Sequence, residues 1–246
     1  MCRRIFFVIV SVLVRRDSKI VQLTKVYKMK KTPLVFVYDY EKDVITDEVK
    51  PGSEWVLEGK GVATVKVDGT ACLFKDGKLW KRFDRKLKKN VSVKEGSEIS
   101  LDLFRDAPEG FEPCEPNPDP VTFHWPGWVP VSEDKPEDKY HVEALKGAVL
   151  EEGKTYELVG PKFSDNPYEL EKHELWKHGD LVVDLGVPTF EKIKDYLENN
   201  YVEGLVFHNK EDGRVAKIRR KDFDLFWIKE DLRKSNPTPK RRRPGR

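Results

Sequence analysis

The chain reads as an α+β protein built on antiparallel sheets, and three observations predict it. Short β-rich runs separated by turn signals dominate from Leu34 to Val129, one amphipathic helical segment follows Pro188, and strands then return without a βαβ rhythm. No internal repeat is present. With 246 residues and 38% hydrophobic content the chain has enough apolar material for a real core. The 36% of charged residues is nearly balanced, 46 basic against 43 acidic, so the net +3 says little about partners by itself.

At the N-terminus, Ile5 to Val14 is apolar except for Ser11 and lies between Arg3-Arg4 and Arg15-Arg16. The run is too short to span a bilayer, which takes ~20 apolar residues. A signal peptide would match the basic start and the apolar run, but Arg-Arg-Asp-Ser-Lys follows without a small-residue cleavage site. The other reading is a dispensable extension with a second start at Met29, so residues 1–29 are set apart and the domain is taken as 30–234. No stable membrane association is expected. Cys2, Cys72 and Cys114 are too few and too scattered for a disulfide framework or a paired-Cys zinc site, which fits a reducing, cytoplasmic setting.

Within the domain the runs are LVFVYD, VITDEV, EWVLEG after Pro51-Gly52, GVATVKV, ACLF and KLWKRFD. Asp68-Gly69 and Asp76-Gly77 stand between apolar alternations and read as hairpin-type turns. Residues 106–139, rich in Pro, Glu and Asp, read as a long loop packed down by Phe123, Trp125 and Trp128. A strand is expected at Thr155–Val159, a polar loop to about Lys177, and a strand at Leu181–Leu185. Pro188-Thr189 opens a helix in which Phe190, Ile193, Tyr196 and Leu197 fall at helical spacing before Asn199-Asn200. GLVFHN, Asp212-Gly213 and RVAKIRR complete the sheets. Lys221 to Lys234 reads as an amphipathic piece docked on the domain. After Pro239, five of the seven residues are basic, so 235–246 is expected to be a disordered tail that attracts polyanions or acts as a nuclear signal.

Lys66 ends a strand-like run and is followed by Val67-Asp68-Gly69-Thr70. A lysine with its ordinary pKa of ~10.4 is protonated and inert at neutral pH, so a nucleophilic role needs cationic neighbours, a metal ion or desolvation. Arg82 and Lys217, in similar strand-like segments, are candidate neighbours. Taken alone, the five residues favour a solvated hairpin lysine on an ordinary turn. The weight comes from order: Thr155-Tyr156-Glu157-Leu158-Val159-Gly160, then Val202-Glu203-Gly204-Leu205-Val206-Phe207, then Val215-Ala216-Lys217-Ile218-Arg219. In this order the chain resembles the covalent nucleotidyltransferases, the superfamily of polynucleotide ligases and capping guanylyltransferases. A closer resemblance, to RNA 5'-phosphate and 3'-hydroxyl ligases, rests on Gly160-Pro161-Lys162-Phe163-Ser164-Asp165-Asn166-Pro167-Tyr168, His173 and His178-Gly179. It rests also on Glu54-Trp55-Val56-Leu57, Gly61-Val62-Ala63-Thr64 and Lys81-Arg82-Phe83-Asp84, and spans residues 33–224.

The resemblance implies an antiparallel-sheet nucleotidyltransferase domain of the ATP-dependent ligase type. The 27 residues after Arg219 are too few for an OB domain behind it. It implies that Lys66 attacks the α-phosphorus of ATP to form lysyl-AMP, that AMP passes to an RNA 5'-phosphate, and that an RNA 3'-hydroxyl displaces it. Arg82, Lys217 and Arg219 would neutralise phosphate charge, Glu157 would accept from ribose hydroxyls, and Glu203 would hold Mg²⁺ or Mn²⁺ directly or through water. Asp68 and Gly69 would shape the turn presenting Lys66, with Asp68 a nucleotide-site contact. His173 and His178 lack a third ligand for zinc and are expected in substrate or structural roles, and Asn166 in a nucleotide-site loop. Transfer to another acceptor, as in capping, and a non-catalytic RNA-binding protein of the same fold remain open. The sequence fixes no oligomeric state, and a monomer is the working expectation.

Overall fold

The computed structural model describes residues 32–93 and 99–227. The apolar start and the basic tail lie outside these residues, as does the C-terminal segment beyond Trp227. In chain order, β1 (Phe36–Asp39) and β2 (Val44–Val49) form a two-stranded antiparallel ribbon. The run EWVLEG, expected as a strand, instead makes one helical turn, α1 (Glu54–Leu57). Its buried pair Trp55 and Val56 is adjacent rather than alternating, and the Glu54 carboxylate accepts from the Gly52 amide at 3.0 Å, which favours a turn over extended chain.

β3 (Gly61–Lys66), β4 (Thr70–Lys75) and β5 (Lys78–Arg85) follow. Asp76 and Gly77 both have positive φ (54° and 68°), the backbone a tight β4–β5 hairpin demands. Asp68-Gly69 makes no hairpin. It carries the chain from β3 in one sheet to β4 in another. The region expected as a long loop contributes two strands, β6 (Glu112–Pro113) and β7 (Trp125–Pro130), the latter paired along β5 from Trp80↔Pro130 to Arg85↔Trp125. α2 (Lys139–Leu145), β8 (Thr155–Val159), β9 (Glu174–Lys177) and β10 (Val182–Val183) come next. β9 lies at the end of the stretch expected as polar loop, and β10 is shorter than the strand expected at Leu181–Leu185. α3 (Phe190–Asn199), β11 (Gly204–Asn209) and β12 (Val215–Arg219) stand where expected.

The result is a mixed α/β fold with mostly antiparallel sheets and few helices. A four-stranded sheet has the order β10-β3-β11-β12 and a six-stranded sheet the order β6-β7-β5-β4-β8-β9. Each sheet is backed by its own core. Behind the first, Ala63, Leu205, Phe207, Ala216 and Ile218 meet Ile193 and Leu197, the i, i+4 stripe of α3, whose Thr189 cap accepts from the Lys192 amide. Behind the second, Cys72, Leu79, Tyr156 and Leu158 meet Ala144 of α2. Each fully buried Leu, Ile or Phe contributes about 1.5–3 kcal/mol, so both helices are held by apolar burial. The segment 221–227 docks as expected: Phe223 and Leu225 pack on the first core, and Trp227 is buried. Among the described residues, no helix is long and apolar enough to cross a membrane, and Cys72 and Cys114 are buried.

Candidate active site

Strand register decides which side chains share a face. Lys66 lies opposite Gly204, and Gly204 opposite Arg219; Thr64 lies opposite Val206, and Val206 opposite Lys217. Side chains alternate along a strand, so Thr64, Lys66, Lys217 and Arg219 stand on the face turned away from the Ala63–Leu205–Ile218 core. Gly204 is required by close approach, because a Cβ there would lie 2.1 Å from the Ile218 carbonyl oxygen and 2.8 Å from Arg219 Cα. Glu203, just before β11, reaches Lys66: Glu203 Oε2 accepts from Lys66 Nζ at 2.5 Å.

The second wall comes from the six-stranded sheet. Glu157 lies opposite Ala71 and Trp176, on the face away from the Tyr156–Leu158 core. Its Oε2 is 2.8 Å from His178 Nε2, and His178 Nδ1 is 3.0 Å from Thr155 Oγ1. Arg82, opposite Trp128, stands on the same face and is exposed, with no hydrogen bond or ion pair to the Lys66 cluster among the described residues. Glu157 and Asp68 both act electrostatically on Glu203, and His178 acts on His208 of β11. Groups of the two sheets are thus near enough for Glu157 to influence the charge of Glu203, and His178 that of His208.

Asp68 occupies the crossing between the walls. Its Oδ1 accepts from Ser164 Oγ and its Oδ2 from Trp227 Nε1, both at 2.8 Å, while its amide donates to the Tyr168 hydroxyl at 2.7 Å. Gly69 next to it lets β4 run against β8, since a Cβ would come 2.3 Å from the Leu158 carbonyl oxygen. Tyr168 belongs to a loop with positive φ at Ser164, Asp165, Asn166 and Glu169, and its ring tilts against Trp176 at 4.7 Å. Asn166 closes that loop through Leu170, accepting from its amide and donating to its carbonyl, each at 2.9 Å. Asn166 therefore shapes the loop from within.

His173 stands apart from this cluster. It is buried, pairs with Glu143 of α2 through Nδ1 at 2.9 Å, and stacks 4.4 Å from Tyr140. His178, at Glu157, and His208 are the histidines nearer the Lys66 cluster.

Charge and burial set the protonation of the site. Burial raises the Glu203 carboxyl above its ordinary range; Lys66 opposes this, and Asp68 and Glu157 add to it. Burial lowers the Lys217 ammonium, with Arg219 and Lys66 pushing the same way. Arg219 forks onto the buried Asp222, with Nη2 to Oδ1 at 2.6 Å and Nε to Oδ2 at 3.1 Å, which outweighs the cost of its own burial and holds it charged.

The oxygen donors in the cleft are carboxylates. Among the described residues no group of three or more His, Cys, Asp and Glu side chains forms a ready metal cage. One or two carboxylates completed by substrate phosphates is the usual manner of holding Mg²⁺, and Glu203 fits that pattern.

Lys66, Asp68, Glu203, Lys217 and Arg219 are thus brought together, with Glu157 and His178 on the facing wall. Ser164, Tyr168, His208, Asp222 and Trp227 also belong to the site although sequence reasoning assigned them no role there. Tyr168 had a signal, as the aromatic end of the Gly160–Tyr168 stretch; Trp227 had none beyond its apolarity. No protein-family model matches the chain, and no curated protein matches it.

Proposed function

We propose that the protein is an ATP-dependent RNA ligase with a covalent nucleotidyltransferase domain, joining RNA 5'-phosphate and 3'-hydroxyl ends through adenylylated Lys66. The observation that carries the reading is the convergence of Lys66, Lys217 and Arg219 on one face of one sheet, with Glu203 bound to Lys66 and Glu157 on the opposite wall. Three sequence segments far apart meet there, and the mix of an amine, nearby cations and carboxylates supports the reading.

In this reading Lys66 Nζ forms a bond to the α-phosphorus of ATP as the bond to the bridging oxygen breaks and pyrophosphate leaves. Before that bond forms the Lys66 ammonium, which has no lone pair, gives up a proton to solvent, and this also releases Glu203 from the ion pair. Lys217 and Arg219 place positive charge on the Lys66 face where the α-phosphate arrives, and Arg82 extends it along the facing wall. Glu157, held by His178, accepts from ribose hydroxyls. Glu203 would hold Mg²⁺ or Mn²⁺, whose charge when bound offsets that of the phosphates. AMP then passes to an RNA 5'-phosphate, and the 3'-hydroxyl of the second end displaces it.

The test is the intact mass of the full chain after incubation with ATP and Mg²⁺, beside Lys66→Ala, followed by ligation of RNAs with defined ends. An AMP adduct in the parent that is lost in K66A, and that is discharged on adding 5'-phosphorylated RNA, is the expected result. An adduct that survives K66A, or that never forms in the parent, refutes the mechanism.

A further inference from the structure

Asp68 joins parts of the chain that no strand pairing requires to meet. Asp68 is two residues past Lys66, and one of its carboxylate oxygens is bound by Ser164 of the 163–170 loop and the other by Trp227 of the C-terminal segment. Trp227 is itself held firmly. Its ring lies against Tyr201 at 5.0 Å and 34°, and the Arg220 guanidinium sits 5.4 Å from the Tyr201 ring. Arg220 Nε donates to the Phe226 carbonyl at 2.7 Å, and Nη1 donates to the Asn200 carbonyl at 3.0 Å and to that of Leu197. These last two carbonyls are at the C-terminal end of α3, where a helix leaves acceptors unpaired and a cation is favoured.

A closed mechanical path results. The four-stranded sheet carries α3 through their shared core, α3 fixes Arg220, Arg220 fixes the backbone before Trp227, and Trp227 holds Asp68 beside the end of β3. We propose that Trp227 is a positioning residue for the nucleophile: its indole N–H on Asp68 fixes the crossing at residues 67–69, and with it the direction in which Lys66 leaves β3. On this account Asp68 serves as a clasp within the protein, and its carboxylate does not read the nucleotide. The inference rests on Lys66 being the adenylylated residue.

The test is single-turnover formation of lysyl-AMP by the full chain, followed by intact mass across a range of ATP concentrations, for the parent, Trp227→Phe, Asp68→Asn and the double variant. Phe retains a ring against Tyr201 and loses the N–H. W227F should lower the maximal rate roughly ten- to a hundredfold, the cost of a slightly misdirected nucleophile. Half-saturating ATP should change by less than about twofold, since ground-state binding is untouched. D68N should lose a similar amount, and the double variant should be no slower than the slower single one, as expected for one shared interaction. Trp227→His, which restores a ring N–H, should recover part of the rate.

Thermal midpoints are measured alongside, with rates taken well below each midpoint. A lowered midpoint with an unchanged rate would make Trp227 merely structural and overturn the inference, as would additive losses or an effect on ATP affinity alone. Should W227F fail to fold, Asp68→Ala, which removes both acceptor oxygens, carries the test: an unchanged maximal rate overturns the inference. A parent that forms no adduct brings down the reading of Lys66 itself, whereas a parent and W227F that form it equally fast bring down only the role of Trp227.

Discussion

Lys66 Nζ lies 2.5 Å from Glu203 Oε2, so the free protein holds its candidate nucleophile as one half of an ion pair. Burial raises the Glu203 carboxyl despite Lys66, so the fold binds a proton there more tightly than the unfolded chain does. Such a group costs no stability below its unfolded value and progressively more as pH rises through its folded value. Glu203→Gln should therefore raise the thermal midpoint near pH 7 by ~1–3 °C while lowering lysyl-AMP formation about a hundredfold. Midpoints of E203Q and the parent should converge as pH falls toward the carboxylate range; a gap that widens on acidification contradicts the assignment.

The back of the second sheet carries an acid-sensitive group. His141 is buried on α2, neither ring nitrogen has a hydrogen-bond partner among the described residues, and its pKa falls to about 4. Burial is the main cause; Asp138 pulls the other way, while Lys81 and His173 add to the fall. Here the folded value lies below the unfolded one, so stability is complete above the ordinary histidine range and is lost as pH drops toward 4. Between about pH 7 and pH 5 the parent should lose roughly 2 kcal/mol, seen as a falling midpoint in thermal melts. His141→Leu should flatten that slope, and an equally steep slope in H141L would locate the sensitivity elsewhere.

Gly69→Ala places a Cβ 2.3 Å from the Leu158 carbonyl oxygen and 3.0 Å from Glu157 Cγ. The first neighbour is backbone in a central strand pair and cannot move aside cheaply. Overpacking of this kind costs about 1–3 kcal/mol, which urea denaturation would measure. Because the displaced strand carries Glu157, ATP binding should weaken too. A variant with parental stability and affinity would mean that β4 and β8 approach less closely than described.

His178 ties Glu157 to Thr155 through its two ring nitrogens, at 2.8 and 3.0 Å. His178→Ala leaves the Glu157 carboxylate in place without its orienting partner. Loss of one such bond corresponds to about 1 kcal/mol, so ATP affinity measured by calorimetry should fall about fivefold. His178→Asn should retain more affinity than the alanine variant; equal losses would argue that the imidazole has another role.

Legibility in the sequence followed the range of the interactions. The hairpin at Asp76-Gly77 was readable because its φ > 0 backbone is a local demand that its two residues meet. Asp68-Gly69 presents the same dipeptide, yet it joins two sheets, because pairing of β3 with β11 and of β4 with β8 is decided by residues more than eighty positions away. Trp125–Pro130 passed for loop since Pro126 and Pro130 interrupt the strand pattern, and α2 did not stand out because its buried pair, His141 and Ala144, includes only one apolar residue. Lys66, Glu157, Glu203 and Lys217 were legible as an ordered set, and the register brings them to the cleft. The bonds that hold Asp68 were not, because Ser164, Tyr168 and Trp227 reach it from segments without regular strand or helix structure to announce their positions.

The passage from β3 to β4 takes three residues, Val67 to Gly69, and Lys66 is the last residue before it. A body made of two plates riveted at one edge opens like a book, and points near the spine travel least. Any rocking of the six-stranded plate against the four-stranded one would displace Lys66 little, because it stays in register with Gly204 beside the crossing, and would carry the outer strands β6 and β9 further. The candidate nucleophile thus sits at the spine, where such a motion would disturb it least.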